Sequence, residues 1–341
     1  MPSEAPPFWW EKPDWRAALL WPLSAAYGAV ASRRFVSARR EPVGLPVLCV
    51  GNLTVGGAGK TPVAIMLARA ARSMGLSPGF VTRGHGGSLS APHLVDPHHD
   101  IARSTGDEPL LLAEHAPTAV TPDRAAGARL VAAEGCDFII MDDGFQSARI
   151  AIDFALLVID ARRGLGNGFI IPAGPMRAPL VQQMRHADAV VRIGEGSAAD
   201  HVVRMASRAG RRVFDAATRP VDAEAFAGRR FVAFAGIGHP QKFFDTVEAV
   251  GGTLAATRTF PDHRLYDDDD LADLAELADK EGAELITTSK DAVRLRHGSP
   301  AARAMLERLN VLHIETVFEP EGAERSIIEH TLHAFERKAS A

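Results

Sequence analysis

The chain has 341 residues, a hydrophobic content of 46% and a charged content of 23%, which is typical of a folded protein of two domains and not of a disordered chain. The formal net charge of −4 gives no reason to expect non-specific binding to nucleic acid. The two cysteines, Cys49 and Cys136, provide neither a disulfide framework nor the ligand spacing of a zinc site, which favours a reducing compartment.

The N-terminal segment contains all four tryptophans of the chain and a run without charge from Ala17 to Ser32. Four arginines follow this run: Arg33, Arg34, Arg39 and Arg40. A transmembrane helix needs about 20 apolar residues, whereas this run is shorter and contains Pro22 and Gly28. The pattern therefore predicts a membrane-associating amphipathic helix within residues 1–40. The alternative is a helix that packs on the protein's own core.

A glycine-rich stretch, 51–59, joins a predicted buried strand at 45–50 to a predicted helix at 63–71 and ends next to Lys60 and Thr61. This order is typical of a phosphate-binding P-loop, in which backbone N–H groups and a helix N-terminus surround the phosphate oxygens. The residues predicted to bind the nucleotide are Thr54, Val55, Gly56, Gly57, Ala58, Gly59, Lys60 and Thr61. Thr54 occupies the position of the first glycine of the strict motif, which leaves an ordinary glycine-rich turn as the alternative.

Predicted strands and helices alternate along the rest of the chain. The strands are predicted at 78–82, 93–95, 138–141, 154–160, 189–193, 202–205, 231–234, 254–260, 285–288 and 311–314. The helices are predicted at 110–115, 123–134, 241–250, 271–281, after 290 and at 323–337, with a linker at 210–228. This alternation predicts an α/β fold with a P-loop NTPase-type, mostly parallel sheet flanked by helices. A P-loop domain is expected at 41–219 and a second, smaller α/β domain at 220–341, whose closing helix could pack back on the first.

Candidate metal and acid–base residues follow the P-loop. The strand predicted at 138–141 runs into Asp142 and Asp143, as in a Walker-B motif that supplies a carboxylate to Mg²⁺. Thr61, Asp142 and Asp143 are the predicted metal ligands, and which aspartate binds Mg²⁺ directly is open. Asp107 alone is typical of a helix N-cap, and His263 alone is a loop histidine without an assigned function.

Seven motifs carry a resemblance to one family. They are 51–57 with 59–62, Gly106–Asp107–Glu108–Pro109, Asp142–Asp143–Gly144–Phe145–Gln146, Pro172–Ala173–Gly174–Pro175, Phe234–Ala235–Gly236–Ile237–Gly238, Phe260 with Asp262–His263, and Lys290–Asp291–Ala292–Val293. In this order and spacing the chain resembles the tetraacyldisaccharide 4′-kinases of lipid A synthesis. The resemblance implies transfer of the γ-phosphoryl group of ATP, with Mg²⁺, to the 4′-hydroxyl of a tetraacyldisaccharide 1-phosphate.

The resemblance also implies a place of action and a catalytic pair. It implies a peripheral protein on the cytoplasmic face of the inner membrane, and neither a nucleic-acid nor a protein partner is expected. Asp107 and His263 would form a pair near the acceptor hydroxyl, in the cleft between the domains. Together with Lys60 they are the predicted catalytic residues. We expect Asp107 nearest the hydroxyl and His263 supporting it, with the reverse order open.

Some positions depart from the family pattern. They are His85, Ser147, Ala178, His239 and Ser289. These departures leave open what the region of Arg177 contacts, so Arg177 stays outside the predicted catalytic residues. The rival functions are a nucleotide-switch ATPase, which typically has a lysine at the position of Val55, and a kinase for a soluble metabolite.

Overall fold

A computed structural model of the chain describes residues 5–37, 40–146, 149–296 and 298–340. Arg39 of the predicted membrane segment and Ser147 lie outside these ranges. The described residues form two β-sheets, one of nine strands and one of four. In the described part of the chain we find no helix whose length and apolar character would let it cross a bilayer.

The bounds of the elements are as follows. The strands are β1 (Val47–Asn52), β2 (Pro78–Thr82), β3 (His93–Leu94), β4 (Thr118–Val120), β5 (Phe138–Asp142), β6 (Phe154–Asp160), β7 (Ala189–Ile193), β8 (Arg212–Pro220), β9 (Arg230–Ala235), β10 (Thr253–Thr259), β11 (Glu284–Thr288), β12 (Asn310–Leu312) and β13 (Ile314–Glu319). The helices are α1 (Trp15–Ser37), α2 (Lys60–Ser73), α3 (Ala102–Thr105), α4 (Asp107–Ala113), α5 (Arg124–Ala133), α6 (Leu180–His186), α7 (Asp200–Arg208), α8 (Pro240–Ala249), α9 (Asp268–Glu281), α10 (Ser289–Arg296), α11 (Pro300–Leu306) and α12 (Ala323–Ala339). Short 3₁₀ turns lie at Pro7–Trp9 and Ala223–Phe226.

The large sheet has the strand order β13–β8–β7–β6–β1–β5–β2–β4–β3. All neighbouring pairs are parallel except β3 with β4 and β13 with β8. Side chains of α2 and α12 are buried against one face, and side chains of α5, α6 and α7 against the other. Because both faces are covered, the central strands are continuous apolar runs rather than alternating ones. The predicted α/β class and mostly parallel sheet are confirmed.

The small sheet is fully parallel, in the order β10–β9–β11–β12. Helix α8 covers one face, and α9 and α11 cover the other. Helix α10, which follows β11, packs towards the large sheet instead: Val293 lies in one apolar cluster with Leu110 of α4 and Val120 of β4. Helices α10 and α4 therefore form a contact between the part of the chain that carries the small sheet and the part that carries the large sheet.

The chain returns to the large sheet after the small one. Strand β13 pairs with β8, and α12 packs beside α2. The small sheet is thus inserted between β8 and β13, while the division of the chain at residue 219 remains a prediction. Two local predictions are wrong. Residues 202–205 lie within α7, where Val202 and Ala206 bury one helical face, and the linker predicted at 210–228 contains β8.

Candidate active site

The glycine-rich loop lies at the carboxyl end of β1, in the middle of the large sheet. All eight predicted nucleotide-binding residues lie between the end of β1 and the first turn of α2: Thr54, Val55, Gly56, Gly57, Ala58, Gly59, Lys60 and Thr61. Gly56 and Gly59 have φ values of 103° and 86°, a region that favours glycine. Lys60 and Thr61 are buried at the start of α2, where free N–H groups and the helix dipole favour an anion.

Asp142 ends β5, the strand beside β1. Thr61 Oγ1 donates a hydrogen bond of 3.2 Å to Asp142 Oδ2. The side chain of Asp142 is 1% exposed, and its Oδ1 has no hydrogen-bond partner among the described residues. Burial and the negative charge of Glu108 raise the pKa of Asp142 to about 7. A buried carboxylate with one unpaired oxygen beside a hydroxyl fits a Mg²⁺ ion, which prefers oxygen ligands.

Asp143 has a different environment from its neighbour. Arg177 donates two hydrogen bonds to its carboxylate, of 2.7 Å to Oδ1 and 3.0 Å to Oδ2. Lys60 Nζ lies 3.8 Å from Oδ2. Burial opposes ionisation of Asp143, but the charges of Lys60 and Arg177 outweigh it and lower the pKa of the carboxyl.

Arg177 is a site residue that sequence reasoning left out. Besides holding Asp143, its Nε donates to the carbonyl oxygen of Thr54 at 3.1 Å. Its backbone N–H donates to Leu53 at 3.0 Å, so the segment that carries Arg177 runs beside the glycine-rich loop. The available signal was the motif at 172–175, which ends two positions before this arginine.

Asp107 and His263 are in direct contact. Nδ1 of His263 donates a hydrogen bond of 2.9 Å to Oδ1 of Asp107. Asp107 is the first residue of α4, and Gly106 holds the cap position, so the carboxylate does not act as an N-cap. The Asp107 side chain is 2% exposed, and that of His263 is 22% exposed.

The charges around this pair shift both pKa values. Burial opposes ionisation of Asp107, yet the hydrogen bond from His263 and the charge of Arg294 lower its pKa. The same hydrogen bond raises the pKa of His263. Arg294 Nε donates to the other oxygen of Asp107, Oδ2, at 3.0 Å. Both oxygens of Asp107 are therefore engaged, while the imidazole is the more accessible member of the pair.

Glu108 connects the pair to the phosphate loop. Lys290 Nζ donates a hydrogen bond of 2.6 Å to Glu108 Oε1, and the charge of Lys290 lowers the pKa of Glu108. Glu108 also acts electrostatically on Asp142 and is itself influenced by Lys60. Glu108, Lys290 and Arg294 were not predicted as site residues, although the first two belong to motifs of the family resemblance.

Comparison with known proteins identifies the family of the chain. The family model described as Tetraacyldisaccharide-1-P 4′-kinase matches residues 16–332. The chain belongs to this family. The tetraacyldisaccharide 4′-kinase of Mesorhizobium japonicum is 60% identical over 339 residues, which is 99% of each chain. That of a Chelativorans strain is 56% identical over 326 residues, or 96% of this chain and 95% of the relative.

A solved structure supports the fold of this family member. The crystal structure of LpxK from Aquifex aeolicus, described as an "apo" form in complex with ATP, superposes with a TM-score of 0.71. It is 23% identical, and the match covers 92% of this chain and 99% of that one. The family predicted from the sequence motifs is confirmed.

Proposed function

We propose that this family member transfers the γ-phosphoryl group of ATP to the 4′-hydroxyl of a tetraacyldisaccharide 1-phosphate, which yields the 4′-phosphorylated lipid A precursor. The observation that carries the proposal is the position of α4. Its first residue, Asp107, pairs with His263, and its second, Glu108, acts on Asp142 beside the glycine-rich loop. An acid–base pair and a phosphate-binding loop are thus adjacent at the carboxyl ends of the strands, where ligands bind in such sheets.

The residues of the loop would hold the nucleotide. The backbone from Thr54 to Thr61 would surround the phosphates, and Lys60 would neutralise charge on the transferred group. Mg²⁺ would be held by Thr61 and Asp142, since these oxygens lie 3.2 Å apart and Asp142 Oδ1 is unpaired among the described residues. When bound, the ion supplies charge neutralisation between the phosphate groups. Asp143 is held by Arg177 and would pair with the Lys60 ammonium rather than serve as the main ligand of Mg²⁺.

The acceptor proton would be taken up by the Asp107–His263 pair. Phosphoryl transfer to an alcohol benefits from a positioned base, and the pKa of that base is best near the working pH. The imidazole is the more accessible of the two groups, and the carboxylate is engaged and has a low pKa; both observations support His263 as the member that contacts the hydroxyl. Asp107 would then orient the ring and stabilise its positive charge. This is the reverse of the order favoured from the sequence.

The outer side of α1 supports attachment to a membrane surface. It exposes seven large apolar side chains: Trp15, Leu19, Trp21, Leu23, Tyr27, Val30 and Val36. Arg33 and Arg34 are also exposed near its end, where they could meet anionic headgroups. The opposite stripe, which includes Ser24 and Gly28, is buried. We infer that α1 lies on the cytoplasmic face of the inner membrane and brings the site to its lipid acceptor.

The deciding experiment is a phosphotransfer assay of the full chain with labelled ATP and the disaccharide lipid in mixed micelles. We expect label in the lipid and little ATP turnover without it. A nucleotide-switch ATPase would hydrolyse ATP without acceptor, and a kinase for a soluble metabolite would leave the lipid unlabelled. Lys60→Ala serves as the inactive control, because it removes the cation of the loop.

A further inference from the structure

A buried arginine, Arg294 of α10, joins the small sheet to the carboxylate of Asp107. Its side chain is 1% exposed. Nε donates to Asp107 Oδ2 at 3.0 Å, and Nη2 contacts the same oxygen. On its other side Nη1 donates to the carbonyl oxygen of Gly236 at 2.6 Å and to Asp291 Oδ1 at 2.8 Å. The guanidinium thus spans from the end of β9 to the carboxylate that orients His263.

Asp291 fixes the arginine from behind. It is fully buried, and its Oδ1 also accepts hydrogen bonds from Tyr266 Oη at 2.7 Å and from the backbone N–H of Gly236 at 3.1 Å. Its other oxygen accepts from Thr288 Oγ1 at 2.6 Å. Because both oxygens are engaged, Asp291 cannot turn away from Arg294 without leaving buried polar groups unpaired. The direction of the guanidinium is therefore set by the small sheet.

Contact between the helices does not by itself require this arginine. Arg296, on the same helix, pairs with Glu114 directly after α4, and its side chain is 43% exposed. Val293 and Leu110 add an apolar contact between the same two helices. The feature that distinguishes Arg294 is its engagement of Asp107, on the oxygen opposite to the one that binds His263.

We propose that Arg294 is a positioning residue for phosphoryl transfer: it holds Asp107 in the orientation in which Asp107 can orient the His263 ring. Asp291 and Tyr266 keep the guanidinium in place for this task. The proposal rests on the proposed function of the Asp107–His263 pair. A lysine could not replace Arg294 fully, because it lacks the planar fork that binds Asp107 and Asp291 at the same time.

Removing the guanidinium charge should also change the proton affinity of the pair. The charged or titratable side chains around His263 are Asp107, Asp262, Lys290, Arg294 and His85. Without Arg294 the negative charge of Asp107 would be less compensated, so protonated His263 would be favoured to higher pH. The acidic limb of the pH–rate profile would then move to higher pH.

The test compares Arg294→Met and Arg294→Lys with the matched control Arg296→Met in the full chain, using ATP and the lipid acceptor. We expect Arg294→Met to lower kcat about 10²-fold, the lower end of what a general base provides, with KM for ATP unchanged. Its acidic limb should move up by about one pH unit. Arg294→Lys should fall between Arg294→Met and the wild type, and Arg296→Met should stay within about twofold of the wild type, as a surface pair contributes little.

Two outcomes would overturn the proposal: equal losses in Arg294→Met and Arg296→Met, or an unmoved acidic limb in an Arg294 variant with reduced kcat. If Arg294→Met does not fold, Arg294→Lys and Tyr266→Phe decide the matter, because Tyr266→Phe removes only the hydroxyl that holds Asp291. If the pH–rate profiles of Arg294→Lys and Tyr266→Phe both match that of the wild type, the proposal is overturned. Failure of the proposed function gives a different result, namely no lipid phosphorylation by the wild-type chain.

Discussion

Arg177 holds both carboxylate oxygens of Asp143 and, through Nε, the carbonyl oxygen of Thr54. The neighbouring Asp142 accepts a hydrogen bond from the Thr61 hydroxyl, and its other oxygen has no partner among the described residues. Two adjacent aspartates of one motif therefore have opposite electrostatic environments, with the pKa raised at Asp142 and lowered at Asp143. From this difference we propose that Asp142 holds the metal and that Asp143 supports the loop.

Arg177→Lys should reduce kcat about 10- to 100-fold, the usual cost of removing a partner that orients a functional ligand. Lysine keeps the charge but cannot bind Asp143 and Thr54 together. The measurement is steady-state phosphotransfer to the lipid. Arg162→Lys, on an exposed residue after β6, is the control and should retain wild-type activity. Equal rates for the two variants would contradict the role given to Arg177.

Asp142→Asn should abolish most activity yet stabilise the fold in buffer with EDTA. The pKa of Asp142 is raised to about 7, so the folded state favours the protonated form and stability falls as pH rises from about 4 towards 7. Above pH 7 the neutral asparagine avoids this loss. We expect the Tm at pH 8 to rise by a few degrees, as measured by thermal unfolding, with a smaller change at pH 5. A lower Tm at pH 8 would argue against the buried charge.

Asp107→Ala and His263→Ala should each slow turnover by about 10²- to 10⁴-fold, the range of general-base catalysis. Because the two side chains act as one unit, the double variant should be little slower than the slower single variant. ATP affinity should remain near the wild-type value, since neither residue belongs to the glycine-rich loop. Fully multiplicative losses would mean that the residues act independently.

The pH dependence of turnover should report His263. Its pKa is raised, first by the hydrogen bond to Asp107, so the neutral ring that accepts a proton prevails only above the ordinary value of about 6.5. Activity should therefore fall as pH drops through this raised pKa. The ion pair stabilises the fold below about pH 6.5 and is lost as pH rises through the same pKa. His263→Gln should lack this acidic limb, and its persistence would assign the limb to another group.

Replacing Trp15, Leu19 and Leu23 with glutamine should weaken binding to anionic vesicles at least tenfold. A tenfold change in affinity corresponds to about 1.4 kcal/mol, and burial of these three apolar side chains in the lipid should contribute more free energy than that. Sedimentation with vesicles measures this. Glutamine at the exposed small residues Ala18 and Ala25 is the control. Equal pelleting of both variants would leave α1 without a role at the membrane.

The sequence predicts the core better than the edges. Strands β1, β5 and β6 were predicted because buried parallel strands are continuous apolar runs. Strand β8 was missed because most of its residues are only half-buried, so its sequence mixes polar and apolar residues. Such a mixed sequence is also typical of a loop. The glycine-rich loop could be predicted because the residues that define it are consecutive in the sequence. Contact between Asp107 and His263, 156 positions apart, followed only from the family resemblance.

The partners of the pair could not be predicted. Arg294 reaches Asp107 because α10 packs on α4, and this contact between distant segments leaves no local periodicity in the sequence. Lys290 and Glu108 are likewise 182 positions apart. Residue types that are capable of catalysis can be recognised along a chain. Which of their charged side chains form ion pairs depends on how the two sheets are joined.

The docking of α1 has a consequence for geometry at a bilayer. Ser24 Oγ and Gly28 pack on the segment of Ile170, and five residues further Pro175 accepts a hydrogen bond of 2.8 Å from Val55 of the glycine-rich loop. The helix that would lie on lipid is thus joined to the phosphate loop by packed structure and not by a free tether. Attachment of α1 would hold the candidate active site at one height above the headgroups and at one tilt. The fold itself would therefore determine how far from the bilayer a sugar hydroxyl can be phosphorylated.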